Sequence, residues 1–246
     1  MKPLLFVADA HLTRDDPEVD SFILFLREEG PKASSICILG DLFNIWFGKA
    51  KFALPHHTRV LQALGDLRGA GVRLTYVEGN RDFHLRRTHL GDPFDAVVED
   101  HLVEEHAGWK VWAHHGDAIN IEDRQYLAWK AFSKSAAIYG AFSLLPGAWG
   151  MKLGESLESR LSGTNLRHKS RFPEAHCLSY AGRVFERGAS ALVLGHFHEE
   201  RYIDCGEKDG RRRGVWVLPA WRGTHRYLAF DGEGPPKFLT HRSTGK

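Results

Sequence analysis

Short apolar runs alternate with longer segments of helical periodicity in the first half of the chain. Residues 4–8, 35–39 and 73–78 are apolar runs of strand length. Residues 19–29 and 58–70 repeat their apolar positions at the spacing of a helix with one buried face. This repeated β-α-β order predicts neighbouring parallel strands with helices packed on the faces of the sheet.

The second half of the chain has a different pattern. After Val97 the pattern favours strands, and residues 109–113 form the clearest one. Residues 122–188 carry few strand signals and predict helices, interrupted at Pro146-Gly147 and Gly163. Residues 191–194 predict a buried strand. Three later segments predict antiparallel strands: 202–204, 215–218 and 227–230. The run 208–213 (KDGRRR) predicts a hairpin tip, for which a solvated turn is a simpler interpretation than a binding patch.

Composition places the chain among globular proteins of an α/β class. With 246 residues, 43% of them hydrophobic and 26% charged, the chain can bury a full core. We expect a single domain over residues 1–246, with a helical insertion at approximately 122–172. The net charge of +2 disfavours bulk binding of nucleic acid. Fifteen histidines beside three unpaired-looking cysteines favour a metal held by histidine and carboxylate.

No targeting segment is indicated by the sequence. The N-terminal run MKPLLFVADAH lacks the long apolar region of a signal peptide. No apolar run approaches the roughly 20 residues that a membrane-spanning helix needs. We therefore expect a reduced, cytoplasmic location.

Five polar motifs lie where predicted strands end. They are Asp9-Ala10-His11, Gly40-Asp41, Gly79-Asn80-Arg81-Asp82, His115-Gly116-Asp117 and Gly195-His196-Phe197-His198. Ligands of open α/β sheets bind beyond the carboxyl ends of the strands. Two residues that flank one other residue point to the same side of an extended segment, which predicts that Asp9 pairs with His11 and that His196 pairs with His198. Each motif alone fits a turn or a helix cap, whereas their joint occurrence in this order favours one shared site.

Together, D-x-H, G-D, G-N-x-D, H-G-D and G-H-x-H resemble the motifs of calcineurin-like metallophosphoesterases. The resemblance covers residues 9–198. It implies a four-layer α/β/β/α sandwich that holds two divalent metal ions, commonly manganese. Matched position by position, it implies the following ligands: Asp9, His11, Asp41 and His198 for one metal, and Asp41, Asn80, His115 and His196 for the other, with Asp41 bridging. Such a metal pair polarises a phosphoryl oxygen and generates a nucleophile from water. Mixed nitrogen and oxygen ligands suit manganese, iron or zinc, and the ligand types do not choose among them.

Arg81 indicates which class of phosphoester is the substrate. Many members of this superfamily carry histidine at its position, where it is usually assigned to an alkoxide leaving group. A guanidinium cannot deliver a proton near neutral pH, but it can neutralise a phosphate leaving group. Our hypothesis is that the scissile bond is a phosphoanhydride.

A closer resemblance rests on residues 40–48 (G-D-L-F-x-x-W-x-G), 79–83 (G-N-R-D-F) and on H-G-D followed by D-x-x-Y at 123–126. These segments resemble the UDP-2,3-diacylglucosamine pyrophosphohydrolases of lipid A synthesis. The resemblance implies cleavage of an acylated UDP-sugar into UMP and 2,3-diacylglucosamine 1-phosphate (lipid X), with attack at the α-phosphorus. It implies that Arg81 and His196 stabilise developing charge at a centre bridged by Asp41. The substrate contacts that it implies are Asn80, Arg81, Asp123, Tyr126, Ser162, Lys169 and His196.

The insertion allows two interpretations. Residues 127–154 are rich in aromatic and aliphatic side chains, and basic residues such as Lys130 and Lys134 lie among them. Such a segment is either a structural cap or a lid for an acylated anionic substrate at a membrane surface. The closer resemblance favours the lid, and with it peripheral association with the cytoplasmic face of the inner membrane. No obligate protein partner is indicated.

Three rival functions remain open at this point. The first is a related dimetal phosphodiesterase or nucleotide phosphohydrolase, whose soluble substrate would need no apolar cavity. The second is a catalytically silent scaffold, which is disfavoured because all seven ligand positions are present. The third, a nucleic-acid binder, rests only on residues 211–213. Departures from the closer family at Lys49-Ala50, Phe197 and Glu199-Glu200 leave the ligand positions intact and bear on substrate preference.

Overall fold

The structure is a computed structural model that describes residues 1–146, 152, 156, 172–208 and 210–242. Thirteen strands can be named in these ranges: β1 (Leu4–Val7), β2 (Ser35–Ile38), β3 (Trp46–Phe47), β4 (Arg73–Val77), β5 (Asp82–Phe83), β6 (Ala96–Val98), β7 (His101–His106), β8 (Trp109–His114), β9 (Ala191–Leu194), β10 (Arg201–Lys208), β11 (Arg211–Val217), β12 (Arg226–Phe230) and β13 (Lys237–Thr240). The α-helices of the same ranges are α1 (Pro17–Glu29), α2 (Pro55–Gly69), α3 (Arg86–His89), α4 (Arg124–Ser133), α5 (Ala136–Leu144) and α6 (Glu174–Glu186).

Two large sheets form the centre of the molecule. The first has the strand order β13-β12-β1-β2-β4-β6, and the second has the order β10-β11-β9-β8-β7. Strands β1, β2, β4 and β6 run parallel to one another in the first sheet, and β12 is antiparallel to β1. Strands β8, β9 and β11 are parallel in the second sheet. Short strands β3 and β5 pair separately.

Three hydrophobic cores separate four layers. Helices α1 and α2 pack on one face of the first sheet, where Phe22 and Val60 meet Ile36. The second core lies between the two sheets and includes Phe6 and Val193. The third joins the outer face of the second sheet to α6. The layer order is therefore α/β/β/α, and the predicted fold class is confirmed.

Strand β1 explains why this order suits the sequence. All four of its residues are buried. Leu5 and Val7 belong to the core under the helices, whereas Leu4 and Phe6 belong to the core between the sheets. A strand covered on both faces needs a continuous apolar run rather than an alternating one.

The predicted elements of the first half are observed with small shifts at their ends. Helix α1 begins at Pro17, two residues earlier than predicted, because the Asp16 side chain accepts a hydrogen bond from the N–H of Glu18 and caps the helix. Proline at the first helical position needs no hydrogen-bond partner for its nitrogen. Helix α2 likewise begins at Pro55.

The prediction of purely antiparallel strands near the C-terminus is wrong for β11. This strand is antiparallel to β10, with which it forms the predicted hairpin, but it is parallel to β9 on its other side. The chain leaves β9, returns along β10 at the edge of the sheet, and then runs beside β9 in the original direction. Strand pattern alone does not reveal such a long-range neighbour.

The helical prediction for the insertion agrees with α4 and α5. Helix α5 ends at Leu144, before Pro146, as the steric effect of proline on the preceding residues requires. Gly147 and Gly163 lie outside the described residues. Among the described helices, none has the length and apolar character required to cross a membrane.

Candidate metal centre

The predicted ligands lie together at one edge of the two sheets. Asp9 follows β1, Asp41 follows β2, Asn80 follows β4 and His115 follows β8. His196 and His198 follow β9. Parallel strands end at the same edge of a sheet, so the strand order places side chains from distant parts of the sequence next to one another.

Two groups of these side chains have the spacing of metal ligands: Asp9, His11 and His198 form one, and Asp9, Asp41 and His115 form the other. In each group the ligand atoms lie within 4.8 Å of one another. The Nε2 atoms of His11 and His198 are 3.2 Å apart. Oδ1 of Asp9 is 3.7 Å from Nε2 of His11 and 3.4 Å from Nε2 of His198. Asp9 therefore belongs to both groups.

Asn80 connects the second group to His196. Its Oδ1 atom lies 3.1 Å from Nε2 of His115 and 3.1 Å from Nδ1 of His196. His115 also has its Nε2 atom 3.8 Å from Oδ1 of Asp41. The structure thus brings all seven predicted ligands into one cluster.

The extended backbone expected for the D-x-H and H-x-H pairs is wrong. Asp9 does meet His11, but His198 joins that pair whereas His196 lies against Asn80. The residues of the two motifs are not extended: φ is 56° at Asp9, 44° at His11, 70° at His196 and 55° at His198. Asp41 has a φ of 52°. A left-handed backbone is uncommon for residues other than glycine, and it persists only where the surrounding structure enforces it. The loops therefore turn sharply after each strand to aim these side chains at a common point.

Two glycines allow these loops to approach. Gly40 has a φ of 76°, and a Cβ atom there would lie 2.6 Å from the nitrogen of Gly79. A Cβ atom on Gly79 would lie 2.2 Å from Oδ1 of Asp41. Only hydrogen fits at both positions, so the G-D and G-N motifs need their glycines for steric reasons.

The donor set fits a divalent metal. Oδ1 of Asp9 is buried without a hydrogen-bond partner, and it faces the Nε2 atoms of both His11 and His198. The ring Nδ1 of His115 lies 2.7 Å from the carbonyl oxygen of Leu39. Donation to that carbonyl leaves a lone pair on Nε2 that faces the acidic groups, as in histidines that bind metals. Acceptor atoms that converge in a buried space need a cation between them.

Electrostatics at the cluster favour neutral histidines at two positions. Burial lowers the pKa of His11 to about 3. Burial also lowers the pKa of His196 to about 4, and the charge on His115 acts in the same direction. Burial acts against protonation of His115 as well, but the carboxylates of Asp41 and Asp9 outweigh it and raise its pKa. Neutral imidazole is the form that binds a metal.

Sequence comparison assigns this centre to a family. No protein-family model matches the chain. A UDP-2,3-diacylglucosamine hydrolase of Neisseria meningitidis serogroup B is 30% identical over 238 residues, which cover 95% of this chain and 96% of that protein. The chain belongs to the UDP-2,3-diacylglucosamine hydrolase family. A second member, from Aromatoleum aromaticum, is 28% identical over 96% of both chains. Among solved structures, an archaeal phosphodiesterase has a TM-score of 0.49 and 12% identity, covering 96% of this chain and 98% of that one.

Arg81, the basic residue of the family's G-N-R-D-F segment, lies beside the cluster. Its guanidinium donates to the side-chain and main-chain oxygens of Asn44, at 3.0 and 3.2 Å. Its Nε atom is 3.7 Å from Oδ2 of Asp41. Its backbone N–H donates to Oδ1 of the same aspartate at 2.9 Å. Arg81 therefore adds a permanent positive charge next to Asp41.

Sequence reasoning missed the residues that hold these loops in place. Oδ2 of Asp82 accepts hydrogen bonds from the backbone N–H groups of Asp41 and Gly79 and from the hydroxyl of Tyr76, at 2.8–2.9 Å. Asp82 is the last residue of the Gly79-Asn80-Arg81-Asp82 motif, so its place in that motif could have indicated its role. Arg222 donates to the carbonyl oxygen of His11 at 2.9 Å, and no sequence pattern singled it out.

Of the predicted substrate contacts outside the cluster, two lie on α4. The Asp123 side chain accepts from the backbone N–H of Tyr126 and caps the helix. The Tyr126 hydroxyl donates to Asp117, the aspartate of the H-G-D motif. Ser162 and Lys169 lie outside the described residues.

Proposed function

We propose that this chain hydrolyses the pyrophosphate bond of UDP-2,3-diacylglucosamine to give UMP and 2,3-diacylglucosamine 1-phosphate, a step of lipid A synthesis. The observation that carries the proposal is the cluster of Asp, Asn and His side chains with Arg81 beside it, in a chain of this family. Clusters of this composition suit hydrolysis of phosphoric esters and anhydrides.

We propose that two divalent ions, manganese in the native protein, occupy the cluster. Asp9, His11, Asp41 and His198 would hold one ion. Asp41, Asn80, His115 and His196 would hold the other, with Asp41 shared. When bound, the ions polarise the scissile phosphate and activate the attacking water.

The chain's own groups orient the substrate and balance charge. Arg81, kept beside Asp41 by its hydrogen bonds to Asn44, supplies positive charge for the phosphate leaving group. A phosphate monoester departs without needing a proton, so an arginine suits this position. The amide of Asn80 and the ring of His196 are proposed to contact the oxygens of the same phosphate. Asp123, Tyr126, Ser162 and Lys169 are proposed to contact the substrate beyond the phosphates.

We further propose that the insertion, residues 122–172, covers the acylated sugar and brings the chain to the cytoplasmic face of the membrane. Two observations support this. Trp129 and Phe132 on α4 are 61% and 58% exposed. Phe47 stacks on both Phe83 and Phe142 in a small apolar recess that α5 helps to line.

The test is release of UMP from UDP-2,3-diacylglucosamine after removal of metals by chelation and addition of Mn²⁺. We compare the wild type with Asp41→Asn and with Asp15→Asn. Asp15 is the matched control because it is exposed and also has a positive φ, of 54°. Bis(p-nitrophenyl) phosphate serves as a substrate without acyl chains.

We expect Mn²⁺-dependent release of UMP by the wild type and by Asp15→Asn, and its loss in Asp41→Asn. Hydrolysis of the diester without release of UMP would retain the metal chemistry and reject the lipid substrate. Equal activity of Asp41→Asn and wild type would reject the site itself.

A further inference from the structure

Helix α4 presents a polar face, not an apolar one, to the rest of the protein. Tyr126, Lys130 and Lys134 follow one another at intervals of four residues, which places them on one side of a helix. All three reach acidic groups of the α/β/β/α sandwich. The aromatic side chains of Trp129 and Phe132 are instead exposed.

Lys134, at the C-terminal end of α4, binds the loop that carries Asn80. Its Nζ atom donates to Oε2 of Glu78 at 3.1 Å and to the carbonyl oxygen of Gly79 at 3.0 Å. The Lys134 side chain is 9% exposed and that of Glu78 is fully buried. The second carboxylate oxygen of Glu78 accepts from the N–H of Leu85 at 2.7 Å. The lysine thus contacts the two residues that precede Asn80.

Lys130 binds the loop that carries His115. Its Nζ atom lies 2.8 and 3.0 Å from the two oxygens of Asp117. The hydroxyl of Tyr126 donates to the same carboxylate. Asp117 is fully buried at its side chain and stands two residues after His115.

These two ion pairs are costly to break. A buried charge that loses its partner remains desolvated. Removal of one partner from a buried ion pair therefore destabilises the protein far more than the same removal from an exposed pair. Helix α4 therefore has a defined position over two of the loops that carry candidate ligands, one from each sheet.

We propose that Lys130 and Lys134 are positioning residues: they fix the insertion helix α4 to the Asn80 and His115 loops, so that recognition of the acylated sugar is coupled to alignment of the phosphate. The inference rests on the proposed function for its substrate. Neither lysine touches the reacting phosphate; each acts through the loop that it binds.

The experiment compares Lys134→Met with Lys51→Met. Both substitutions remove a lysine that anchors the insertion. Lys51 donates to the carbonyl oxygens of Ser143 and Leu145, at the end of α5. Within the described part of the chain, its hydrogen bonds do not include either ligand loop. A third variant combines Glu78→Gln with Lys134→Met. It removes the charge that Lys134→Met alone leaves unpaired on the buried Glu78, but it does not restore the contact between α4 and the Asn80 loop.

The first readout is hydrolysis of two substrates. For Lys134→Met we expect kcat/KM on UDP-2,3-diacylglucosamine to fall about 10- to 100-fold, and kcat/KM on bis(p-nitrophenyl) phosphate to fall by a smaller factor. The double variant should regain thermal stability without regaining the lipid activity. Lys51→Met should leave the ratio of the two activities unchanged.

The second readout, hydrogen–deuterium exchange, is independent of substrate. Lys134→Met should raise exchange in α4 and in residues 79–82, whereas Lys51→Met should raise it in α5 alone. Parallel loss of both activities, recovery of lipid activity in the double variant, or unchanged exchange at residues 79–82 would overturn the inference. If the wild type cleaves only the diester, the proposed function fails, and the exchange pattern still decides whether Lys134 positions the loop.

Discussion

Arg81 is the single side chain whose chemical type bears most directly on the bond that is cleaved. Asn44 and Asp41 hold its guanidinium next to the cluster. We predict that Arg81→His reduces kcat/KM on the UDP-lipid by about 100-fold, the size of effect seen on removing one transition-state donor. The loss on an alkyl phosphodiester should be much smaller, because a histidine can protonate an alkoxide. Equal losses on the two substrates would contradict this role.

The residue types at the centre were predictable from the sequence, but their backbone was not. Motifs at strand ends named Asp9, Asp41 and His196, and the strand order brings them together. Asp9, Asp41 and His196 all have positive φ values, and the loops after β2 and β4 meet at Gly40 and Gly79 with no space for a side chain. Such strain is imposed by tertiary contacts and leaves no local periodicity to detect.

At the scale of elements, α4 reverses the usual arrangement of an amphipathic helix. Sequence predicted a helix that is apolar and basic at once. In the structure the basic and apolar side chains lie on different faces of α4: Lys130 and Lys134 face the protein, and Trp129 and Phe132 face outward. The reversal could not be predicted from the chain alone, because the acidic partners Asp117 and Glu78 lie in distant segments.

The outward aromatic pair supplies a test of the proposed membrane contact. Trp129 and Phe132 lie three residues apart, with ring centroids separated by 6.0 Å. Burial of each side chain in a lipid interface is worth about 1.5–3 kcal/mol. We predict that replacing both with serine lowers binding to phosphatidylglycerol vesicles at least about 10-fold in a sedimentation assay. Leu239→Ser is the matched control, because Leu239 is 40% exposed on β13, the edge strand of the first sheet. Equal binding by the two variants would exclude α4 from the contact.

Asp95 connects α2 to the first sheet and predicts a pH dependence of stability. Its two oxygens accept from Nε of Arg68 at 2.8 Å and from the N–H of Leu74 at 2.9 Å. Burial acts to raise the pKa of Asp95, but these two donors outweigh it and lower the pKa below its ordinary value. The stabilisation is therefore present above the unfolded-state pKa of about 3.9 and is lost as the pH falls through the folded-state value.

We predict that Asp95→Asn lowers the free energy of unfolding by about 1 kcal/mol at pH 7, a modest value because the pair is partly exposed. The difference from wild type should shrink when urea unfolding is repeated near pH 3. Asp66 is exposed and lies on α2, the helix of Arg68, so Asp66→Asn is the control variant. If the difference in unfolding free energy between wild type and Asp95→Asn did not change with pH, the stabilising role of the Asp95 carboxylate charge would be contradicted.

For the whole molecule, sequence predicted the first sheet better than the second. Helix α1 connects β1 to β2, and α2 lies between β2 and β4. Their parallel pairing therefore follows from the order of elements along the chain. The second sheet pairs β8 with β9 across the whole insertion, and β11 beside β9. Those pairings depend on burial between the two sheets and are invisible to a local pattern.

The centre joins both sheets, and this arrangement predicts that metal stabilises the entire fold. Candidate ligands follow β1, β2 and β4 in the first sheet and β8 and β9 in the second. A ligand that binds only the folded state stabilises it by about 2.7 kcal/mol at a concentration 100 times its dissociation constant. We therefore predict that Mn²⁺ added to chelator-treated protein raises the melting temperature by about 5–10 °C, a range typical for a chain of this size. Asp41→Asn should lose most of the rise and the exposed Asp15→Asn should retain it. A rise of equal size in both variants would mean that the ion binds elsewhere, because removing a carboxylate from the centre weakens only an ion held there.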